Sequence, residues 1–311
     1  MISLLLFILI ISFIEGWSTP LVSSVVPRVV PKDDLVKANS SLSVTNQSVQ
    51  LAGYSFTGLL VVKFGHLPIL IAACILFWLS TVSLYLATSS FGADDKLENG
   101  NSKWGLIKEG WLHLWKNPTL RIITIMDVIE GMAGTIWVGA ITLVYVTEAL
   151  HKSEQWWGYI NSSYYIGTIV GGFFTLFMAR RIQKNLILSM AIGSFLFSFF
   201  TFLYGMNSTP YLSLLLCIAM GPAYQLRDVA QQTAFQTSVD SVVLTKVYAS
   251  RSIVLSTITS CSIALIGFIA DTFGIRSVYI FGSVLIAISA LLSFTIVGIQ
   301  KKNGASTEVS L

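Results

Sequence analysis

Apolar segments of about 20 residues recur along almost the whole chain, and they constrain its fold more than any other feature of the sequence. A segment of that length crosses a bilayer as an α-helix, because a helix satisfies its backbone hydrogen bonds without water. Only 11% of the 311 residues are charged, whereas soluble domains average about 25%. The sequence therefore predicts an all-α integral membrane protein, and it excludes a soluble enzyme, a nucleic-acid-binding domain and a disordered chain.

Nine apolar segments can be delimited. They lie at about 2–26, 40–62, 67–88, 122–148, 156–179, 186–205, 210–234, 250–270 and 277–299. Of the 19 Lys and Arg residues, fifteen are assigned to the regions that follow the odd-numbered segments. Arg251, at the very start of the eighth segment, is counted with the loop before it, and Arg227 lies within the seventh segment. Because cytoplasmic loops are rich in Lys and Arg, we expect these loops and the C-terminal tail with Lys301 and Lys302 in the cytoplasm, in a multi-pass protein of the cell membrane.

One long polar interval divides the segments into three and six. We therefore expect an incomplete three-helix bundle at 1–88, a cytoplasmic linker at 89–117, a six-helix bundle at 118–299 and a cytoplasmic tail at 300–311. Apolar residues recur in the linker at steps of three or four: Trp104, Ile107, Trp111 and Trp115. This spacing predicts an amphipathic helix at the cytoplasmic surface of the membrane, and a linker that merely contains tryptophan is the alternative.

An internal repeat spans the linker. Residues 58–65 read Gly-Leu-Leu-Val-Val-Lys-Phe-Gly before the third segment, and residues 267–274 read Gly-Phe-Ile-Ala-Asp-Thr-Phe-Gly before the ninth. The glycines and the phenylalanine are in register. The first three segments are thus similar to the last three, and parallel repeats of this kind are typical of transporters with a substrate site between two halves.

In these motifs and in their order, the chain resembles the major facilitator superfamily, and within it the bacterial drug and macrolide efflux branch of proton antiporters. The motifs that carry the resemblance are Gly16-Trp17-Ser18-Thr19-Pro20, residues 26–39, Gly58 to Gly65, Lys108-Glu109-Gly110 with Asn117-Pro118, and Gly267 to Gly274. The resemblance implies two helical bundles, with the nine segments corresponding to helices four to twelve and the first three helices absent. It also implies motif or gating roles for a set of residues: Gly16, Pro20, Gly58, Gly65, Arg180, Arg181, Gly267, Asp271 and Gly274.

Five ionisable residues lie deep inside the apolar segments, away from the segment ends: Glu15, Asp127, Glu130, Arg227 and Asp228. Each costs roughly 2.5–3.5 kcal/mol at the centre of a spanning helix, so its presence indicates a function. We expect Arg227 to meet Glu130 across a central cavity, since both lie roughly 12 to 13 Å from the cytoplasmic ends of their helices. Asp127 and Glu130 share a helix face, and two adjacent carboxylates favour proton uptake by one of them. The five are candidates for proton coupling or substrate binding, and a static ion pair that holds two helices together is the alternative.

Six aromatic and amide residues are candidates to complete a drug site: Trp17, Trp137, Tyr145, Tyr224, Gln231 and Gln232. Broad-specificity pockets combine apolar and aromatic walls with a few polar groups. The alternative is that the aromatic residues anchor their helices at the membrane interface.

The cysteines and histidines are isolated in the sequence, so we expect no metal, no disulfide framework and no cofactor. The resemblance and the charges within the segments together lead to one function. It is a secondary transporter, not an enzyme, that exports amphipathic, drug-like small molecules through the lipid bilayer in exchange for protons, with no nucleic-acid partner. A truncated, non-transporting remnant, acting at most as a membrane-embedded partner protein, is the alternative.

Overall fold

The computed structural model describes residues 23–89, 103–137, 139–240 and 243–308, and every regular element within them is a helix. The α-helices after residue 30 are α1 (Leu35–Phe64), α2 (His66–Ser89), α3 (Lys103–Lys116), α4 (Pro118–Gly134), α5 (Gly139–Val144), α6 (Gln155–Phe177), α7 (Ala179–Lys184), α8 (Leu186–Met206), α9 (Pro210–Thr237), α10 (Leu244–Phe273) and α11 (Ile275–Glu308). Residues 23–29 are also helical. The predicted residues Glu15, Gly16, Trp17 and Pro20 lie outside the described part of the chain.

The described helices match the second to ninth predicted segments. Four of them are long and apolar enough to cross a membrane, namely α2, α8, α10 and α11, and α4 with α5 adds a fifth if this bent pair counts as one span. Helices α1, α6 and α9 have 30, 23 and 28 residues, which suffices by length, but their polar side chains and glycines lower their hydropathy. The protein is therefore a multi-pass membrane protein, and the number of nine spanning helices stays a prediction.

The segment at 122–148, expected as one helix, is instead broken. Helix α4 begins at Pro118, where the Asn117 side chain accepts hydrogen bonds from the next backbone N–H groups, and it ends at Gly134. A 3-10 turn at Thr135–Trp137 follows, and α5 then continues at an angle of 47° into a π-helical turn at Tyr145–Ala149. Glycines at 134 and 139 flank the break, and glycine is the weakest helix former after proline.

Close backbone contacts hold α6, α8 and α9 together. A Cβ on Gly221 of α9 would overlap the backbone of Gly167 in α6, and a Cβ on Gly193 of α8 would lie 2.6 Å from the backbone nitrogen of Arg227. Small residues at helix crossings let backbones approach and gain dispersion contacts, which drive association where lipid removes the hydrophobic effect. These crossings fix α9 between α6 and α8.

The sequence repeat extends to backbone geometry. Helices α1 and α10 both have 30 residues and both end at a phenylalanine followed by one glycine. Gly65 and Gly274 adopt φ values of 76° and 83°, which favour glycine because a Cβ would be strained there. Each donates its N–H to the carbonyl four residues earlier, at Val61 and at Ala270. The division of the chain into two bundles at the linker remains a prediction.

Helix α1 contacts α9 through its first half. Asn39 Nδ2 donates to Thr233 Oγ1 at 2.9 Å and to Gln236 Oε1 at 2.8 Å, and Ser43 Oγ donates to Gln225 Oε1 at 2.7 Å. Farther along the same helix, Phe56 and Phe64 are exposed. Helix α1 thus contacts α9 through its first half, and Phe56 and Phe64 of its second half are not covered by other described residues.

Candidate functional site

Polar side chains from five helices meet and form what we call the charge cluster. Its members are Asp127 and Glu130 of α4, Ser194 of α8, Arg227, Asp228, Gln231 and Gln232 of α9, Arg251 of α10, and Ser289 of α11. Four of the five ionisable residues predicted from the sequence belong to it, and Glu15 lies outside the described residues. The helices therefore bring together charges that are far apart in the sequence.

Asp127 is held by an arginine that the sequence prediction had placed in a loop. Arg251 Nε lies 2.7 Å from Asp127 Oδ2, and its Nη2 donates to Oδ1 at 2.7 Å. The side chains are 12% and 9% exposed, so this is a buried, bidentate ion pair. The assignment of Arg251 to the basic loop is corrected: α10 begins at Leu244, so Arg251 lies two turns inside the helix.

Glu130 has a different environment, made mostly of neutral donors. Ser289 Oγ donates to Oε1 at 2.6 Å, Ser194 Oγ lies 3.4 Å from the same oxygen, and Gln231 Nε2 donates to Oε2 at 2.9 Å. Arg227 Nε lies 3.7 Å from Oε2, so the two residues meet as expected, but beyond hydrogen-bond distance. Glu130 is thus solvated by hydroxyl and amide groups, with the guanidinium as a nearby counter-charge.

Gln231 links the two carboxylates. Its Nε2 donates to Asp127 Oδ1 at 2.8 Å as well as to Glu130 Oε2. The sequence predicted this residue as part of a cavity wall, whereas the structure places it, 4% exposed, between the two acids. A buried amide that donates to both carboxylates fixes their separation and reduces their repulsion.

Aromatic rings cover the guanidinium groups. The Arg227 guanidinium lies 4.8 Å from the ring centre of Tyr224 and 5.6 Å from that of Phe197, and the Arg251 guanidinium lies 4.4 Å from that of Phe235. Such cation–π contacts favour an arginine over a lysine because a planar guanidinium stacks on a ring. Tyr224, predicted as a cavity residue, therefore lies beside the cluster and positions Arg227.

Asp228 is the third carboxyl group of the charge cluster. It is half-buried and within electrostatic range of Arg227 and Arg251, and no hydrogen bond or ion pair joins it to another residue of the described chain. The cluster thus contains three carboxyl groups and two guanidinium groups. In a low-dielectric interior, an unbalanced charge favours the uptake of a proton or of another cation.

The remaining predicted cavity residues have other surroundings. Tyr145 is fully buried and donates its hydroxyl to the backbone carbonyls of Tyr204 and Asn207, so the expectation that it lines a cavity is corrected. Trp137 is partly buried and stacks on Tyr164 at 5.9 Å between ring centres. Gln232 accepts from Arg251 Nη1 at 3.2 Å and donates to Tyr248 at 2.6 Å, so it supports Arg251.

The motif residues that the structure describes have no contact with the cluster. Arg180, Arg181 and Asp271 are exposed near helix ends, and a Cβ on Gly267 would meet open space. Gly58 lies within α1. Among the described residues, no group of three or more His, Cys, Asp or Glu side chains could hold a metal ion.

Two cavities open elsewhere in the described chain. One of about 340 Å³ lies between the start of α8 and the end of α9, and a groove of about 210 Å³ lies between α8 and α11. No residue of the charge cluster lines either of them.

Charged networks enclosed by membrane-spanning helices are typical of proteins that move ions or small solutes, and they define the general class of this chain. Residues 1–261 match the family model described as Major Facilitator Superfamily. The chain is also similar to three uncharacterized MFS-type transporters of Bacillus subtilis (strain 168). YfmI is 38% identical over 301 residues, which are 96% of this chain and 74% of that protein. YjbB is 31% identical over 289 residues, which are 93% of this chain and 70% of that protein. YvqJ is 24% identical over 279 residues, which are 88% of this chain and 65% of that protein.

The chain belongs to the major facilitator superfamily of membrane transporters. Membership supports the transport of a small molecule rather than an enzymatic reaction. Four charged residues of the cluster were predicted from the sequence, and the signal for each was its position deep inside an apolar segment. Ser194 and Ser289 gave none, because a serine in a spanning helix is common and carries no charge.

Proposed function

We propose that this protein exports amphipathic, drug-like small molecules from the cell by alternating access, in exchange for protons that bind at Glu130. The observation that carries the proposal is the composition of the charge cluster, in which three carboxyl groups face two guanidinium groups. One bound proton would balance the cluster, and its release would leave a charge that must be compensated. A transporter can use that alternation to couple two fluxes.

Glu130 is a better proton carrier than Asp127. Protonation of Asp127 would weaken two hydrogen bonds of 2.7 Å to Arg251. The Ser289 hydroxyl, by contrast, can either donate to an ionised Glu130 or accept from a protonated one, because a hydroxyl has both capacities. Arg227, at 3.7 Å, would stabilise the ionised form without locking it. Asp127 and Arg251 then serve as the static pair, and Glu130 and Arg227 as the reversible one.

Alternating access needs bundle contacts that can break, and the contact between α1 and α9 has that character. Its side-chain hydrogen bonds, from Asn39 and Ser43, are neutral and contribute about 0.5–1.5 kcal/mol each. With the orientation expected from the Lys and Arg distribution, this contact lies at the cytoplasmic end. The structure would then correspond to a state closed to the cytoplasm.

The substrate class rests on the resemblance to drug and macrolide exporters and on the aromatic residues beside the cluster. Trp137, Tyr164 and Tyr224 form a continuous group of rings, with centre distances of 5.9 Å and 6.1 Å, that ends at Arg227. Aromatic rings accept flat apolar molecules of varied shape. They therefore suit amphipathic compounds better than sugars or small anions.

The test is Glu130→Gln in proteoliposomes that contain the purified full chain, with ethidium and erythromycin as probes. An imposed proton gradient should accelerate export by the parent, and it should leave the rate of the variant unchanged. Glu148→Gln is the matched control, since Glu148 is an exposed carboxylate in the same predicted segment and should keep the response.

A second readout does not depend on the probe. Infrared difference spectra between high and low pH should contain the carbonyl band of a protonated carboxylic acid, and this band should weaken in Glu130→Gln. A variant that still responds to the gradient, or an unchanged band, would overturn the assignment of Glu130. If the folded parent moves neither probe, the non-transporting partner protein becomes the better hypothesis.

A further inference from the structure

Helix α3, in the linker between the two predicted bundles, docks on the start of α10. Gly110 and Leu114 are buried in this contact, and a Cβ on Gly110 would lie 2.7 Å from Ser250 Oγ and would overlap the Lys246 carbonyl. Glu109 Oε2 forms an ion pair of 2.7 Å with Lys246 Nζ. Shape and charge therefore fix one face of α3 to the start of α10.

Another face of α3 combines exposed apolar and basic side chains. Lys108, Leu112 and Trp115 are spaced by four and three residues, so they share one side of the helix. Leu112 and Trp115 are 48% and 44% exposed, and Lys108 and the neighbouring Lys116 are exposed as well. An indole and a leucine beside lysines are typical of a helix that lies in the headgroup layer, where the lysine stems cross apolar surface and their charges stay outside it.

The lysines give this face a positive charge, and no acidic residue of α3 is left to neutralise it. Glu109 is the single acidic residue of α3, and Lys246 of α10 already neutralises it. Near a membrane, each exposed lysine contributes about 1 kcal/mol of attraction to anionic lipids. The partner that fits the face is therefore the headgroup of an anionic phospholipid rather than that of a zwitterionic one.

We propose that the exposed face of α3, formed by Lys108, Leu112, Trp115 and Lys116, binds anionic phospholipid headgroups of the adjoining leaflet. The apolar side chains enter the acyl boundary and the lysines hold the phosphates. This placement rests on the proposed membrane orientation, in which the linker is cytoplasmic.

Lipid bound to α3 would act on the charge cluster through α10. The α3 helix contacts Lys246 and Ser250, and the next residue is Arg251, which holds Asp127. Loss of the lipid would loosen α3 and, through the first turns of α10, the Asp127–Arg251 ion pair. Anionic lipid is thus expected to raise the transport rate as well as to bind.

The experiment measures lipid contact at Trp115 in the full chain. The protein is reconstituted into liposomes in which either phosphatidylcholine or phosphatidylglycerol carries bromine on its acyl chains, and quenching of tryptophan fluorescence is compared between the parent and Trp115→Phe. The difference isolates Trp115 from the other seven tryptophans. We expect stronger quenching of Trp115 by brominated phosphatidylglycerol, with each lysine contributing up to about fivefold in local lipid preference.

Variants decide whether the lysines carry the preference. Lys108→Gln with Lys116→Gln should abolish it, and the arginine replacements at the same positions should keep it. Lys152→Gln, at an exposed lysine of another loop, is the matched control. Absence of Trp115 quenching, or equal quenching by both lipids, would overturn the proposal. The readout needs no transport, so failure here is distinct from failure of the proposed function.

Discussion

Replacement of Arg251 by glutamine should destabilise the protein by about 3–5 kcal/mol, the usual cost of leaving one member of a buried ion pair unpaired. Two hydrogen bonds of 2.7 Å to Asp127 would be lost, and the aspartate would keep only the amide of Gln231. Because the two side chains are 12% and 9% exposed, water cannot replace the missing partner.

The matched control is an ion pair of the same length on the surface. Lys37 Nζ lies 2.7 Å from Asp34 Oδ1, but these side chains are 48% and 50% exposed. Lys37→Gln should therefore cost about 0.5 kcal/mol or less. Both variants remove one cation from a carboxylate at the same distance, so the comparison contrasts a buried, bidentate pair with an exposed pair joined by one hydrogen bond.

The double variant tests the reason for the loss. Asp127→Asn combined with Arg251→Gln leaves two neutral amides that can still hydrogen-bond, and it should recover at least about 2 kcal/mol relative to Arg251→Gln alone. The free energy of unfolding is measured by titration with sodium dodecyl sulfate in mixed micelles. Equal costs for Arg251→Gln and Lys37→Gln, or a double variant no more stable than Arg251→Gln, would refute the reasoning.

Two further outcomes follow from the packing. Gly221→Ala should lower the thermal midpoint in detergent and the yield of folded protein, because the added Cβ would overlap the backbone of Gly167. Gly158→Ala is the control and should leave both unchanged, because its Cβ would meet open space. Equal midpoints for the two variants would contradict the close crossing of α6 and α9. Asn39→Ala removes two hydrogen bonds between α1 and α9, so spin labels at exposed positions 37 and 240 should show a larger population of long distances. An unchanged distance distribution would mean that these bonds do not hold the contact.

The helices of this fold could be predicted from the sequence because their signal is local. A run of apolar residues long enough to span a bilayer has few alternatives to a helix. The glycines at 65 and 274, identified in the sequence only as part of a repeat, lie at two helix ends in the structure. The break after Gly134 could not be predicted in the same way. Glycine within an apolar run is compatible with a continuous helix, and only packing against neighbouring helices decides where the backbone turns.

The candidate site was predictable in part for the same reason. Asp127, Glu130 and Arg227 stand out because a charge within an apolar run is rare, and the similar depths of Glu130 and Arg227 correctly indicated that they meet. Arg251 was missed because it lies near the end of its segment, where a basic residue usually belongs to a cytoplasmic loop. Its pairing with Asp127 depends on the approach of α10 to α4, which no local pattern encodes.

Helix α9 connects the charge cluster with the contact to α1. Arg227 and Gln231 are one turn apart and face α4, whereas Gln225, Thr233 and Gln236 lie on the opposite side and face α1. On the proposed function, α9 would move as a unit over this length, and a change in how Glu130 binds Arg227 and Gln231 would displace the hydrogen bonds on the other side. Pro222, which cannot donate a backbone hydrogen bond, lies just before this stretch and is a suitable place for α9 to bend. A proton at Glu130 would therefore control the contact between α1 and α9 through helix α9 alone, without intermediate residues on other helices.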